Sequence, residues 1–316
     1  MSAVLNEAGP DAGVPWHYGD PLGEQRALEA GRATVDLRHR GVFAVSGPDR
    51  LTWLNALASQ ELATLPPGVH TTAFLLDLQG RIEHAFGGLD DGETFWGHTE
   101  PGRLDALLER LRGMRFAAKV DVSDRSAENA LIIAGGGPLV VDRDEIEGRL
   151  GDVRAGTWAS EALRIAAGAP RIFLDHDDRA IPNELFMPEG DALGPAVHLN
   201  KGCYRGQETV GRTYTLGRPP RRLVLLHLDG TAGELPEVGA PLFFGEEEVG
   251  RAGTAAVHHE LGPIALGLVR RSLAVEAPLV VSGVAAAQEA IVDPDVGLHV
   301  RRPDGLLAKL PGRPLK

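Results

Sequence analysis

Leu216-Gly217-Arg218-Pro219-Pro220-Arg221-Arg222-Leu223-Val224-Leu225-Leu226-His227-Leu228 divides this chain in two. Neither proline has an N–H to give to a helix or a sheet, and Gly217 loosens the backbone just before them, so a boundary is expected at 216–220. Residues 223–228 are strand-like, and Leu226-His227-Leu228 alternates. Further on, short apolar runs recur at 241–244, 255–257, 264–269 and 279–281, parted by Gly, Pro and acidic residues. Several short strands with no long helix predict a small β-barrel or sandwich over 221–316.

Upstream of the boundary the pattern is mixed. Residues 42–45 read as a strand running into the turn Ser46-Gly47-Pro48-Asp49. A helix is expected over about 50–60, with Trp53, Leu54 and Leu57 on its apolar face and Pro66-Pro67-Gly68 as the stop. Residues 72–78 and 81–86, parted by Gln79-Gly80, read as a hairpin. Leu104, Leu107, Leu108 and Leu111 stand at helical spacing after Pro101-Gly102. Strands are expected at 120–122 and 130–134, and a third helix at about 160–167, with Ser160 as its cap and Glu161 in its first turn. The fold class is therefore α+β, with a mixed body over 1–220.

Composition narrows the function classes. The chain has 316 residues, with 32 basic against 44 acidic side chains and a formal net charge of -12. Its basic pairs, Arg221-Arg222, Arg270-Arg271 and Arg301-Arg302, are isolated, so a nucleic-acid partner is not expected. Cys203 is the single cysteine, which excludes an internal disulfide and a multi-cysteine metal site built by this chain alone. No leader pattern is visible in residues 1–20 and no apolar run is long enough to span a membrane, so the expected location is the cytoplasm. Gly135-Gly136-Gly137-Pro138 lacks the Lys-Ser/Thr end of a P-loop and reads as a turn.

The densest chemistry lies in Lys201-Gly202-Cys203-Tyr204-Arg205-Gly206-Gln207-Glu208. An amine, a thiol, a phenol, a guanidinium, an amide and a carboxylate fall within eight positions, with two glycines that permit sharp turns. Such a loop suits a polar heteroaromatic ligand: Gln207 and Glu208 pair with its donor edge, and Lys201 or Arg205 meets an anionic tail. A solvated surface turn explains the same residues about as well. His258-His259-Glu260 matches no strong metal spacing, because adjacent side chains diverge in a strand, and no metal site is expected. His176-Asp177-Asp178 reads as a solvated turn.

The octapeptide resembles the signature of the YgfZ-type folate-binding proteins: Lys-Gly-Cys, then Tyr or Phe, any residue, and Gly-Gln-Glu. Other stretches agree in order. Ala162-Leu163-Arg164-Ile165 with Gly168 and Pro170 is similar to a Leu-Arg-x-x-x-Gly-x-Pro segment shared with glycine-cleavage T-proteins, and Ile181-Pro182-Asn183-Glu184 to the Pro-x-Glu that follows it. Val45-Ser46-Gly47-Pro48-Asp49, Gln79-Gly80-Arg81-Ile82 and Gly262-Pro263-Ile264-Ala265-Leu266 fit the same family.

The resemblance implies a T-protein-like fold: two interleaved α+β subdomains around a central cavity over 1–220, and a C-terminal β-barrel domain over 221–316. It implies tetrahydrofolate as the bound cofactor, and iron–sulphur client enzymes or their assembly machinery as partners. Lys201, Tyr204, Arg205, Gln207, Glu208, Glu161 and Arg164 become candidate folate contacts. Cys203 becomes a candidate thiol donor, transient ligand or redox-sensitive group. T-proteins carry a paired aspartate after the Gly-Gly turn, where this chain has Glu83-His84, and their Gly-Tyr-Thr-Gly-Glu segment is missing here. Both departures count against glycine cleavage. Glu83 is the candidate base at that position, and a charged side chain on a solvent-facing strand is the competing reading. Three functions stay open: a folate-binding accessory protein for iron–sulphur clusters, a folate-dependent one-carbon transferase or demethylase, and a non-catalytic folate-sensing docking module.

Overall fold

The strand that follows the double proline, Arg221–Leu228, belongs to a closed six-stranded barrel in the computed structural model, which describes residues 2–135 and 137–297. Gly136 of the glycine cluster and residues 298–316 of the expected C-terminal domain lie outside the described residues. Around the barrel the order is Arg221–Leu228, Gly262–Arg270, Glu247–His258, Pro241–Phe244, Leu279–Val281 and Val284–Ala290, and the last strand pairs with the first. Every pairing is antiparallel. Closure leaves no strand edge exposed to another chain.

The opening strand is apolar on both faces because both faces are buried. Val224, Leu226 and Leu228 point into the barrel with Leu242, Leu279 and Val281. Leu223 and Leu225 point outward, into a core shared with Phe74, Ile82, Ile165 and Leu185 of the body. One hydrophobic core thus runs across the 216–220 boundary.

In the body the chain visits two sheets alternately. It enters a four-stranded sheet at Thr34–Leu37 and crosses to a five-stranded one. That sheet is ordered Thr71–Leu76, Ile82–Asp90, Thr94–Thr99, Gly41–Ser46, Asp121–Asp124. The chain then returns through Asn129–Ala134, Gly137–Asp142 and Arg154–Ala155 to complete the first. Only the short Arg154–Ala155 strand pairs parallel, against Thr34–Leu37. These are the two interleaved subdomains. Helix Leu104–Gly113 buries Leu104, Leu107, Leu108 and Leu111 against Phe43, Phe95 and Trp53. Each such leucine contributes about 1.5–3 kcal/mol by leaving water.

Three local expectations need correction. The helix that starts at Arg50 ends at Leu57, not near residue 60, because Ala58 is already extended at φ -96° and ψ 159°. The third helix is Thr157–Ala166, so Ser160 lies inside it and bonds back to the Thr157 carbonyl (3.0 Å) instead of capping. Glu161 accordingly lies beyond the first turn. The end of the octapeptide is not loop: Gln207–Thr215 is a helix, entered from Gly206 in the left-handed region.

Candidate functional site

A cleft of about 710 Å³ opens where the body meets the barrel. The hairpin at Asp77–Ile82, helix Leu104–Gly113, the segment 173–178 and Arg251 of the barrel wall it. Glu83 and Arg205 face each other across it at 3.1 Å. Charge is unevenly satisfied. Asp77 accepts the backbone N–H groups of Gln79 and Arg81, each at 2.8 Å, and Asp177 takes Arg221 at 2.7 Å. Arg81, Arg103, Arg110 and Arg251 line the same cleft and enter no salt bridge among the described residues. The buried Nε of Arg251 has no partner there. Asp178 is the one cleft carboxylate with no ion pair or hydrogen bond among the described residues, and against it four guanidinium groups without a carboxylate partner make this an anion-attracting surface.

The floor is held by two unusual features. Phe173 sits at φ +76°, and the Arg103 guanidinium lies 4.2 Å from its ring centroid. The Phe173 N–H donates to Nε2 of His176 (3.1 Å), and Nδ1 of His176 meets the Asp177 carbonyl at 2.6 Å. These partners require the proton on Nδ1 and a neutral ring. Burial lowers the His176 pKa, although its bond to Asp177 opposes that. His176 is buried, which corrects the expectation of a solvated turn. Burial pushes the Asp177 carboxyl up, but its hydrogen bond with Arg221 overrides this and holds it at about 2. Burial also lowers His84.

Most of the octapeptide builds the cleft without lining it. Lys201 is buried, and its Nζ donates to the carbonyls of Asn55 (2.6 Å), Ala58 (2.6 Å) and Gln60 (2.8 Å). These are orphan acceptors at the C-terminal end of helix Arg50–Leu57, where the helix dipole also favours a cation. Burial lowers Lys201 to about 8, and the charge on Glu61 opposes that shift. Lys201 is thus a staple that ends a helix, with all three of its N–H groups used. Tyr204 is buried in the shared core, and burial pushes it up to about 12. Gln207 Nε2 donates to the Lys201 carbonyl at 3.3 Å. Glu208 is exposed and pairs with Arg212 one helical turn on. Gly206 has φ +82°, and a Cβ there would stand 2.5 Å from the Asp77 carbonyl oxygen and 3.0 Å from Gly80. Glycine is required for both reasons. Of the octapeptide, Arg205 alone lines the cleft. Cys203 is a free, exposed thiol.

Glu161 and Arg164 lie elsewhere. They pair with each other (2.7 Å) in a buried network that includes Asp175, Arg171 and Asp11. Asp175 in turn holds the barrel through the N–H of Thr254 (2.6 Å). Burial raises the Glu161 pKa, but Arg164 and Arg171 prevail and its net shift is downward. Arg164 lines a second cavity of about 190 Å³ beside His98, distinct from the cleft. His98 meets His70 there, Nε2 to Nε2 at 3.0 Å.

Of the sequence candidates, then, only Glu83 and Arg205 come together in the cleft. The cleft arginines were not anticipated. Arg103 and Arg110 are seven residues apart beside the leucine face of one helix, and that spacing was the signal for them. Arg251 and Phe173 carried no local signal, since the barrel and a left-handed turn bring them in.

The overall arrangement is that of the aminomethyltransferase T-proteins. The glycine cleavage system aminomethyltransferase T of Bartonella henselae superposes with a TM-score of 0.74, covering 92% of this chain and 94% of that one at 19% identity. Relatives by sequence are the iron-sulfur cluster assembly factor IBA57 homolog of Mycosarcoma maydis and the tRNA-modifying protein YgfZ of Escherichia coli. The first is 27% identical over 230 residues, 61% of this chain and 57% of the relative. The second is 34% identical over 152 residues, 46% of this chain and 43% of the relative. The chain therefore spans about half the length of these curated relatives, and no family model matches it. The fold is thus that of the aminomethyltransferase T-proteins, and the sequence is similar over part of its length to the IBA57 homolog and to YgfZ.

Proposed function

We propose that the chain binds a reduced folate with its glutamyl tail in the arginine-lined cleft, and serves as an accessory protein for iron–sulphur clusters in client enzymes. The observation that carries the reading is the set of four guanidinium groups without a salt-bridge partner among the described residues, Arg81, Arg103, Arg110 and Arg251, around one cleft of about 710 Å³. Folate presents a flat ring at one end and carboxylates at the other. An adjoining chamber of about 230 Å³, walled by Leu57, Leu75, Leu76 and Met114, shares Arg110 and Arg205 with the cleft and offers an apolar surface beside the cationic one. The cluster role is supported by the relative whose name is an iron-sulfur cluster assembly factor and by the octapeptide.

A transferase reading has less support. The carboxylate in the aspartate position, Glu83, is tied to Arg205 at 3.1 Å and not held ready to take a proton. Cys203, exposed in the same segment, is the group we assign to contact with a client.

Calorimetric titration with tetrahydrofolate and its polyglutamyl forms tests the proposal. Binding is expected to tighten with tail length and to weaken as salt rises, because exposed charges are screened over about 8 Å at physiological ionic strength. Arg103→Ala and Arg110→Ala should each weaken it several-fold. No heat at millimolar ligand, or an affinity indifferent to both arginines, overturns it.

A further inference from the structure

Just past helix Leu104–Gly113 the chain breaks a local rule with no visible gain. Phe116 stands at φ +42°, in the left-handed region, and is 86% exposed. The turn is closed by the Ala118 N–H bonding to the Arg115 carbonyl at 2.9 Å, so Phe116 holds a place where glycine or asparagine is usual. A bulky aromatic there strains the backbone and buries almost nothing in return. Local strain without a compensating contact in the folded monomer marks a functional position.

Its surroundings are basic. Arg112, Arg115 and Lys119 flank it, all exposed, and none enters a salt bridge among the described residues. The chain as a whole carries a net charge of -12, so this is a local reversal of sign. A second apolar tip, Leu78, is 70% exposed on the hairpin turn. Leu76 and Met114, each two residues before a tip, line one chamber, so the two tips rise from neighbouring walls.

We infer that Phe116 and Leu78, inside this basic rim, form a docking surface for a partner protein that presents an apolar socket edged by carboxylates. The surface goes beyond the folate reading and does not rest on it. An aromatic anchor within a charged rim is the anatomy of an interface hot spot. A single-stranded nucleic acid fits less well: stacking platforms use successive aromatic rings, and the second tip here is an aliphatic leucine.

The test places a photo-crosslinker at the tip by Phe116→p-benzoylphenylalanine in the full chain, in cells of its own host. The same probe at exposed Val280 on the barrel is the control. Irradiation should yield a nuclease-resistant protein adduct at 116 and not at 280, and mass spectrometry should identify an acidic protein. That protein, once purified, should bind the unmodified chain about tenfold more tightly than Phe116→Gly or an Arg115→Glu/Lys119→Glu variant. Phe116→Gly should also melt at a higher temperature than the parent, since it relieves strain in the free monomer. A nuclease-sensitive adduct, equal labelling at both sites, binding indifferent to charge reversal, or a lower melting temperature for Phe116→Gly each overturns the inference. None of these readouts involves folate, so failure here is distinct from failure of the cleft proposal.

Discussion

Replacing Lys201 by methionine separates its two candidate roles. Methionine keeps most of the apolar stem and removes the ammonium, which leaves the carbonyls of Asn55, Ala58 and Gln60 without their shared donor. A hydrogen bond to a charged group is worth about 1.5–3 kcal/mol, so three give roughly 5–9 kcal/mol gross. Holding an ammonium in a buried position costs several kcal/mol, and the variant no longer bears that penalty. The expected net loss is about 3 kcal/mol, taken as the middle of the remaining range. Equilibrium urea unfolding followed by tryptophan fluorescence reads it, and Trp53 lies on the helix that the lysine terminates. Folate affinity, measured on the folded variant, should change less than threefold, because the Nζ has no free donor to offer a ligand. A stability loss under about 1 kcal/mol together with a tenfold weaker folate complex would refute the staple argument and restore Lys201 as a direct contact.

Gly206→Ala should destabilise by about 2–4 kcal/mol, read by the same unfolding curves, because the new Cβ meets the Asp77 carbonyl in a left-handed conformation. Glu83→Gln should leave stability within about 0.5 kcal/mol, since the ion pair is half exposed. It should tighten the binding of polyglutamyl folate at low salt by freeing Arg205, and weaker binding would return Glu83 to the role of a ligand contact. Arg222 is wholly buried, with Nη2 bonded to Leu273 and Gln288 but Nε and Nη1 unpartnered. Arg222→Met should therefore match the parent or exceed it by up to about 2 kcal/mol in urea unfolding. Asp177 has a folded value of about 2, below its unfolded value of about 3.9, so the stability it contributes is full above about pH 4 and is lost as pH falls through 2. Asp177→Asn should flatten that acid limb in a pH series of thermal melts.

Much of the fold was legible because it rests on local chemistry. The double proline at 219–220, the leucine spacing of 104–111 and the turn at Gln79-Gly80 each act over a few residues, and the elements they predict are present. Helix ends were read less well. The helix from Arg50 stops early because a lysine some 140 residues further on collects the carbonyl of Asn55 in its last turn and those of Ala58 and Gln60 just beyond it. No window along the chain contains that bond. Ser160 looked like a cap, but the chain enters its helix three residues sooner, at Thr157.

The site divides in the same way. Composition and spacing marked 201–208 as the place where side-chain chemistry is dense, and by themselves left a ligand-binding loop and a solvated turn equally open. Which of its groups faces a ligand was decided by tertiary structure. Folding turns Lys201 and Tyr204 inward to carbonyls and core, and leaves Glu208 paired on the surface. It brings Arg205 to Glu83, 122 positions earlier in the chain. The cationic character of the cleft arises similarly, from Arg81, Arg103, Arg110 and Arg251 on three separate elements of a chain whose net charge is negative. A residue's type and its near neighbours are written in the sequence. The direction of a side chain and the charge it meets depend on which distant segment packs against it.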